Sequence, residues 1–201
     1  MSKVRKLCEC ALMAAMAFLL SLLKIPLPFG GSVTAFSMVP LIFASYRNGP
    51  AWGMGTAFVF SLIKLLMGLD NFAYVTGAAS FAAVLFFDYL IAYTVIGGAG
   101  LLRLNAQADK KKTALRASLG ALLAMLCRYL CHIVSGAVVW YDLTKVWEAA
   151  DPGNMVFRYG KWVYSILYNG AYMIPETVVT VAGIFLLTVS FRTILFAEKE
   201  R

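Results

Sequence analysis

The chain has 201 residues, of which 61% are hydrophobic and only 14% charged, with a mean hydropathy of +0.77 and a formal net charge of +8 at pH 7. A soluble domain carries about 25% charged residues, so the composition excludes an ordinary water-soluble globule and predicts one integral membrane domain over 1–201. Four cysteines, Cys8, Cys10, Cys127 and Cys131, all sit in apolar runs, which reads as small apolar fillers rather than a disulfide framework.

A membrane-crossing helix needs roughly 20 predominantly apolar residues. The first candidate runs over about 7–24. Its basic start and apolar run mimic a signal peptide, but no A-x-A cleavage site follows, so it reads as a retained helix. Cys10 and Ala14, and Ala11 and Ala15, place small residues four apart, a spacing that lets another helix approach closely. The Pro/Gly-rich loop KIPLPFGGS follows. The second candidate, about 32–46, is short and contains Pro40; the third covers about 51–69. The fourth covers about 77–101, the fifth about 113–140, and the sixth about 161–192, with Pro175 inside it as an expected kink. The reading is an all-α membrane protein of six transmembrane helices.

Six crossings put both termini on one side. Twelve of the 18 Lys and Arg residues fall on that side, including Lys110, Lys111 and Lys112 in the loop RLNAQADKKK, against four on the other, Lys24, Lys145, Arg158 and Lys161. Cytoplasmic loops carry the basic excess, which predicts both termini, and the tail AEKER, in the cytoplasm. The positive charge therefore expresses topology and contact with anionic headgroups of the bilayer, and nucleic acid is not an expected partner.

With this orientation the polar residues inside the spans fall at one depth. Asp88 in the fourth helix, His132 in the fifth, Tyr164 and Asn169 in the sixth, and Lys64 in the third all lie in the outer half. Ionisable groups inside a membrane face a bundle interior or a wet cavity. The shared depth predicts a polar pocket open to the exterior. In CRYLCHIVSGAVVW, Arg128, His132, Gly136 and Trp140 recur every four residues and form one slowly drifting helical stripe. At Gly136 the missing side chain leaves either a gap for a flat ligand or room for a close helix crossing. Arg128 and Glu176 are deeper and are expected to neutralise each other as a structural pair. Tyr74, Tyr89, Trp140, Tyr141, Tyr164 and Tyr168 supply aromatic rings at the pocket level, although an interfacial belt explains Tyr141 and Trp162. An aromatic wall with a carboxylate suits a flat cation.

These residues resemble a known family, the thiamine-specific substrate-binding subunits of energy-coupling factor vitamin transporters. The resemblance covers nearly the whole chain and rests on CECALMAAMAFLLSL in the first helix, DYLIAYTVIGGAG in the fourth, CRYLCHIVSGAVVW in the fifth and YSILYNG in the sixth. It implies that Asp88, Tyr89, His132, Gly136, Trp140, Tyr164 and Asn169 contact thiamine. Tyr164 and Asn169, five apart, do not share one α-helical face, which predicts that Tyr164 sits at a frayed or loop-bounded helix start. The family has glutamate where this chain has Asp88, the segment 69–80 is longer here, and Lys64 at pocket depth needs Asp88 or the exterior as its counterpart.

The resemblance further implies a bacterial plasma-membrane subunit with no cofactor of its own, working with a transmembrane coupling subunit and two ATPases. The chain itself has no G-x-x-x-x-G-K-S/T phosphate loop. The partner-facing surface is expected on the first helix at Ala11, Ala14 and Ala15. Three alternatives stay open on the residues: the same architecture for another flat ring vitamin or pyrimidine precursor, an intramembrane enzyme using His132 and Asp88 as acid and base, and a helical scaffold.

Overall fold

The computed structural model describes residues 2–27 and 31–196. The tail AEKER lies outside them, as do residues 28–30 of the Pro/Gly loop.

Helix α1 spans Lys3–Leu22, with the Ser2 hydroxyl accepting from the Arg5 N–H at its start. Strands β1 (Lys24–Pro26) and β2 (Ser32–Thr34) form an antiparallel hairpin, pairing Ile25 with Val33. Helix α2 covers only Val39–Asn48, with Pro40 in its first turn, where a missing N–H is harmless. The expected span at 32–46 is therefore a strand followed by a short helix. At 1.5 Å per residue α2 is about 15 Å long, half the hydrocarbon thickness, and it is buried on nearly all sides.

Helix α3 (Pro50–Met67) leads into a 3-10 turn at Leu69–Tyr74. Helix α4 occupies Ala78–Leu101, α5 Lys110–Trp147, and α7 Lys161–Ser190, with the short helices α6 (Met155–Arg158) before α7 and α8 (Arg192–Phe196) after it. Helices α3, α4, α5 and α7 are each long and apolar enough to cross a membrane. The basic first turns of α1 lower its average apolarity, although its 20 residues match a crossing in length. Helix α5 continues seven residues past the expected end at 140, and α7 runs unbroken through Pro175.

The bundle is built on close crossings. Ala114, Ala117, Ala121 and Ala124 of α5 are buried, while Leu115, Leu119, Leu122 and Leu126 of the same helix are exposed as a lipid-compatible stripe. On α1 the buried face is Cys10, Ala14, Ala17 and Ser21. Ala14 is thus packed inside the protein and is removed from the expected partner surface. Its spacing to Ala17 puts it on the core face, whereas Ala11 and Ala15 are exposed. At the end of the bundle that holds both termini, the Arg47 guanidinium donates to both Glu9 carboxylate oxygens, at 2.7 and 3.0 Å, and to the Ile194 carbonyl. The hairpin and the 3-10 turn lie at the opposite end. Deep in the bundle, Arg128 donates to Glu176 at 2.8 Å, with both side chains almost fully buried, as the sequence suggested.

Candidate functional site

Two long helices depart from α-helical geometry at the same level. Residues Val84–Leu90 of α4 and Gly136–Trp140 of α5 are π-helical. A π turn closes i→i+5 hydrogen bonds, and such segments are frequent at functional sites. Here they determine what Asp88 touches. Its Oδ2 accepts from the Ser135 hydroxyl at 2.6 Å and from the Trp140 indole N–H at 2.7 Å, while Oδ1 lies 3.2 Å from His132 Nδ1. Ser135 and Trp140 are five apart and would diverge on a regular α-helix; the π turn brings both to one oxygen. Because an ionised carboxylate only accepts, Nδ1 of His132 carries its hydrogen toward Asp88. The second ring nitrogen, Nε2, is buried and has no partner among the described residues.

The carboxylate borders a cavity of about 770 Å³ in the half of the bundle away from the termini. All seven of the residues singled out in sequence, Asp88, Tyr89, His132, Gly136, Trp140, Tyr164 and Asn169, line it. Among the described residues of the lining, Asp88 is the only carboxylate, and no lysine or arginine joins it.

Tyr89 is fixed from both sides. Its hydroxyl accepts from Asn71 at 2.8 Å and donates to the Gly68 carbonyl at 3.2 Å, and its ring stacks on Phe72 with centroids 5.9 Å apart. Asn169 is likewise saturated: its amide nitrogen donates to the His132 carbonyl at 3.2 Å and the Ser165 carbonyl at 2.9 Å, and its oxygen accepts from Tyr172 at 2.5 Å. Gly136 resolves toward the close crossing. A Cβ there would overlap Ser165 Oγ and the Asn169 amide, so the glycine lets α5 and α7 meet at the cavity wall.

Tyr164 sits in the first turn of α7, just after the loop that ends at Gly160, the second of the two placements expected; it is not frayed, since its N–H bonds the Gly160 carbonyl at 2.9 Å and the side chain is buried. The cavity is wide enough to be lined by two faces of α7 at once. Tyr164, Tyr168 and Tyr172 form an i, i+4, i+8 ladder, the first two rings stacked at 5.7 Å and 22°, and Asn169 borders the same space.

Lys64 departs from expectation. It does not line this cavity and does not pair with Asp88, whose oxygens are held by α5. Tyr74 does line the cavity, edge-on to Trp147 with centroids 5.4 Å apart.

Sequence reading missed Gly31, Asn71, Tyr93, Thr144, Trp147 and Tyr172 of the lining, and Ser135 behind it. Part of this was visible. Trp140, Thr144 and Trp147 follow at i, i+4 and i+7, the ordinary helical stripe, hidden only by ending the fifth helix at 140. Gly31 comes from the hairpin at positive φ (+74°) and approaches the Tyr172 ring closely; a loop contact of that kind has no periodic signal.

The sequence profile of the thiamine transporter protein family matches residues 7–196. Thiamine transporter ThiT of Bacillus subtilis (strain 168) is 29% identical over 202 residues, 96% of this chain and 95% of that protein. Thiamine transporter ThiT of Lacticaseibacillus paracasei is 27% identical over 201 residues, 96% of this chain and 90% of that protein. A solved structure of ThiT from Listeria monocytogenes superposes with a TM-score of 0.73 at 23% identity, covering 97% of this chain and 99% of that one, which establishes a shared fold.

Proposed function

The chain belongs to the thiamine transporter protein family, and from that premise we propose that it is a thiamine-binding subunit of an energy-coupling factor transporter, with the cavity beside Asp88 as the thiamine site. It is a multi-pass protein of the bacterial plasma membrane and a transport protein, not an enzyme. The proposal adds the site, the contacts and the partners.

The observation that carries the reading is the composition of the cavity: among the described residues that line it, one carboxylate, no lysine or arginine, and a wall of tyrosines and tryptophans. Thiamine is two flat rings, one a permanently cationic thiazolium, the other an aminopyrimidine. Aromatic faces attract a cation through their quadrupole, more strongly where water is excluded. Asp88 adds Coulomb attraction. Its contacts with His132, Ser135 and Trp140 orient the carboxylate toward α5, and no lysine or arginine among the described residues pairs with it. The volume, about 770 Å³, is in the range of small-molecule sites. Tyr164 and Tyr168 offer a stacked pair of rings, Trp140 a further face, and His132, Gly136 and Asn169 the polar edge between α5 and α7.

In this reading the termini are cytoplasmic, in line with the basic excess on their side, and the site opens outward. Delivery inward would then be driven by a transmembrane coupling subunit and two ATPases, as the resemblance to energy-coupling factor subunits implies; the chain itself carries no G-x-x-x-x-G-K-S/T loop. The exposed small residues Ala11 and Ala15 of α1 are the surface at which the coupling subunit would approach.

The test is a calorimetric titration of detergent-purified protein with thiamine, with its separate pyrimidine and thiazole halves, and with other flat ring vitamins. Thiamine should bind at one site per chain and more tightly than either half. Tighter binding of another ring compound would replace thiamine as the ligand of this site.

A further inference from the structure

A second, smaller cavity of about 170 Å³ adjoins the first, and Tyr93, His132 and Tyr172 line both. Its other walls bring Lys64 of α3 against Arg128 of α5 and Glu176 of α7, under the hydroxyls of Ser32 and Thr34 from the hairpin. Its volume admits a monatomic anion together with a few waters, each taking about 30 Å³.

The lining is lopsided toward donors. Glu176 is the only carboxylate among the described residues of this lining, and both of its oxygens are taken, one by Arg128 at 2.8 Å and one by the Thr34 hydroxyl. The half-buried Lys64 has no ion-pair partner among the described residues. Arg128 is 5% exposed, and its Nε is buried without an acceptor.

With His132 neutral, the charges of the described residues lining the two cavities balance: Lys64 and Arg128 stand against Asp88 and Glu176. A permanent cation entering the larger cavity leaves one positive charge uncompensated inside a membrane domain, where such charge is expensive. Resting on the reading that this ligand is thiamine, we infer that the smaller cavity takes a monovalent anion of halide size beside Lys64, and that anion and cationic ligand bind with positive coupling. Glu176, already neutralised by Arg128, directs the anion to the lysine side. Tyr93, His132 and Tyr172 form the common wall between the two ions. By linkage, each raises the other's affinity by the same factor.

The experiment titrates thiamine into the detergent-purified full chain at constant ionic strength while sodium chloride is replaced by sodium gluconate. Wild-type affinity should fall roughly tenfold without chloride, within the usual range for coupling between two sites, and the chloride dependence should saturate. Lys64→Met should bind thiamine equally well in both salts, because removing the lysine charge does what the anion does. Lys64→Arg should keep the dependence. Equal wild-type affinity in the two salts, or an unchanged dependence in Lys64→Met, overturns the coupling. A second readout needs no thiamine: chloride should raise the melting temperature of the ligand-free wild type over gluconate, and should not do so for Lys64→Met. That shift without any thiamine binding would sink the assignment of the larger cavity while leaving the anion site; thiamine binding with neither salt effect would sink the anion site.

Discussion

Asp88 is held by three donors from one neighbouring helix, and this sets what its substitution should do. Asp88→Asn keeps the size but places an amide where His132, Ser135 and Trp140 donate. A charge-assisted hydrogen bond is worth about 1.5–3 kcal/mol, so thiamine binding should weaken by about that much, with a drop in melting temperature alongside. A neutral ring analogue should lose less than thiamine; equal losses in parallel titrations would mean that Asp88 orders α5 without recognising positive charge. Trp140 and Trp147 both border the cavity, their rings 6.4 Å apart. Thiamine should therefore quench intrinsic fluorescence through both. Trp140→Phe should leave a partial quench and the double variant with Trp147→Phe almost none, whereas a full quench in the double variant would move the ligand toward Trp52 or Trp162. At this scale the sequence was informative where chemistry is rare. A lone histidine and a carboxylate in apolar helices stand out, and both border the cavity. Saturated groups such as Asn71 gave no such signal, because an asparagine in a turn is ordinary.

At the scale of elements, the site depends on two π-helical turns and one close crossing. Gly136→Ala would push a methyl into Ser165 and Asn169. Overpacking of this kind costs about 1–3 kcal/mol, and melting curves should show it together with weaker thiamine binding; full stability in that variant would mean that α5 and α7 stand further apart. The spacing of four from Arg128 to Trp140 marked the right helix face. The π turn was not legible, since no residue type announces an i→i+5 bond, and it is why Ser135 reaches the carboxylate beside Trp140. The short α2 was misread for a related reason. Apolar composition over 32–46 fits a membrane span and a buried ten-residue helix equally well, and only packing from all sides separates them. On α1 the same ambiguity affects the alanines: a stripe of small residues allows contact with a partner or with the chain's own core, and Ala14 belongs to the core. Ala15→Trp should leave thiamine binding by the isolated protein unchanged and abolish uptake by cells that supply the coupling subunits; lost binding would place Ala15 in the domain's own packing.

For the whole molecule, a buried ion pair and a ligand cavity divide the interior by depth. Breaking Arg128–Glu176 from one side leaves a buried charge alone, which costs about 3–5 kcal/mol. Arg128→Met should therefore unfold at markedly lower temperature, and the double variant with Glu176→Met should recover most of the loss. If the single variant melts like the wild type, the pair is not what compensates these charges. The membrane class and the convergence of polar residues at one depth follow from hydropathy and charge placement, which act on long segments and survive local misreading. The central claim is that the cavity lined by Asp88, His132, Trp140 and the Tyr164 ladder holds thiamine. Native mass spectrometry of protein purified from thiamine-supplemented cells tests it most directly. One bound molecule of thiamine's mass per chain, lost in a Trp140→Ala variant that still melts cooperatively, is the predicted result. A different ring compound bound in its place, or thiamine retained undiminished by that variant, would contradict the account.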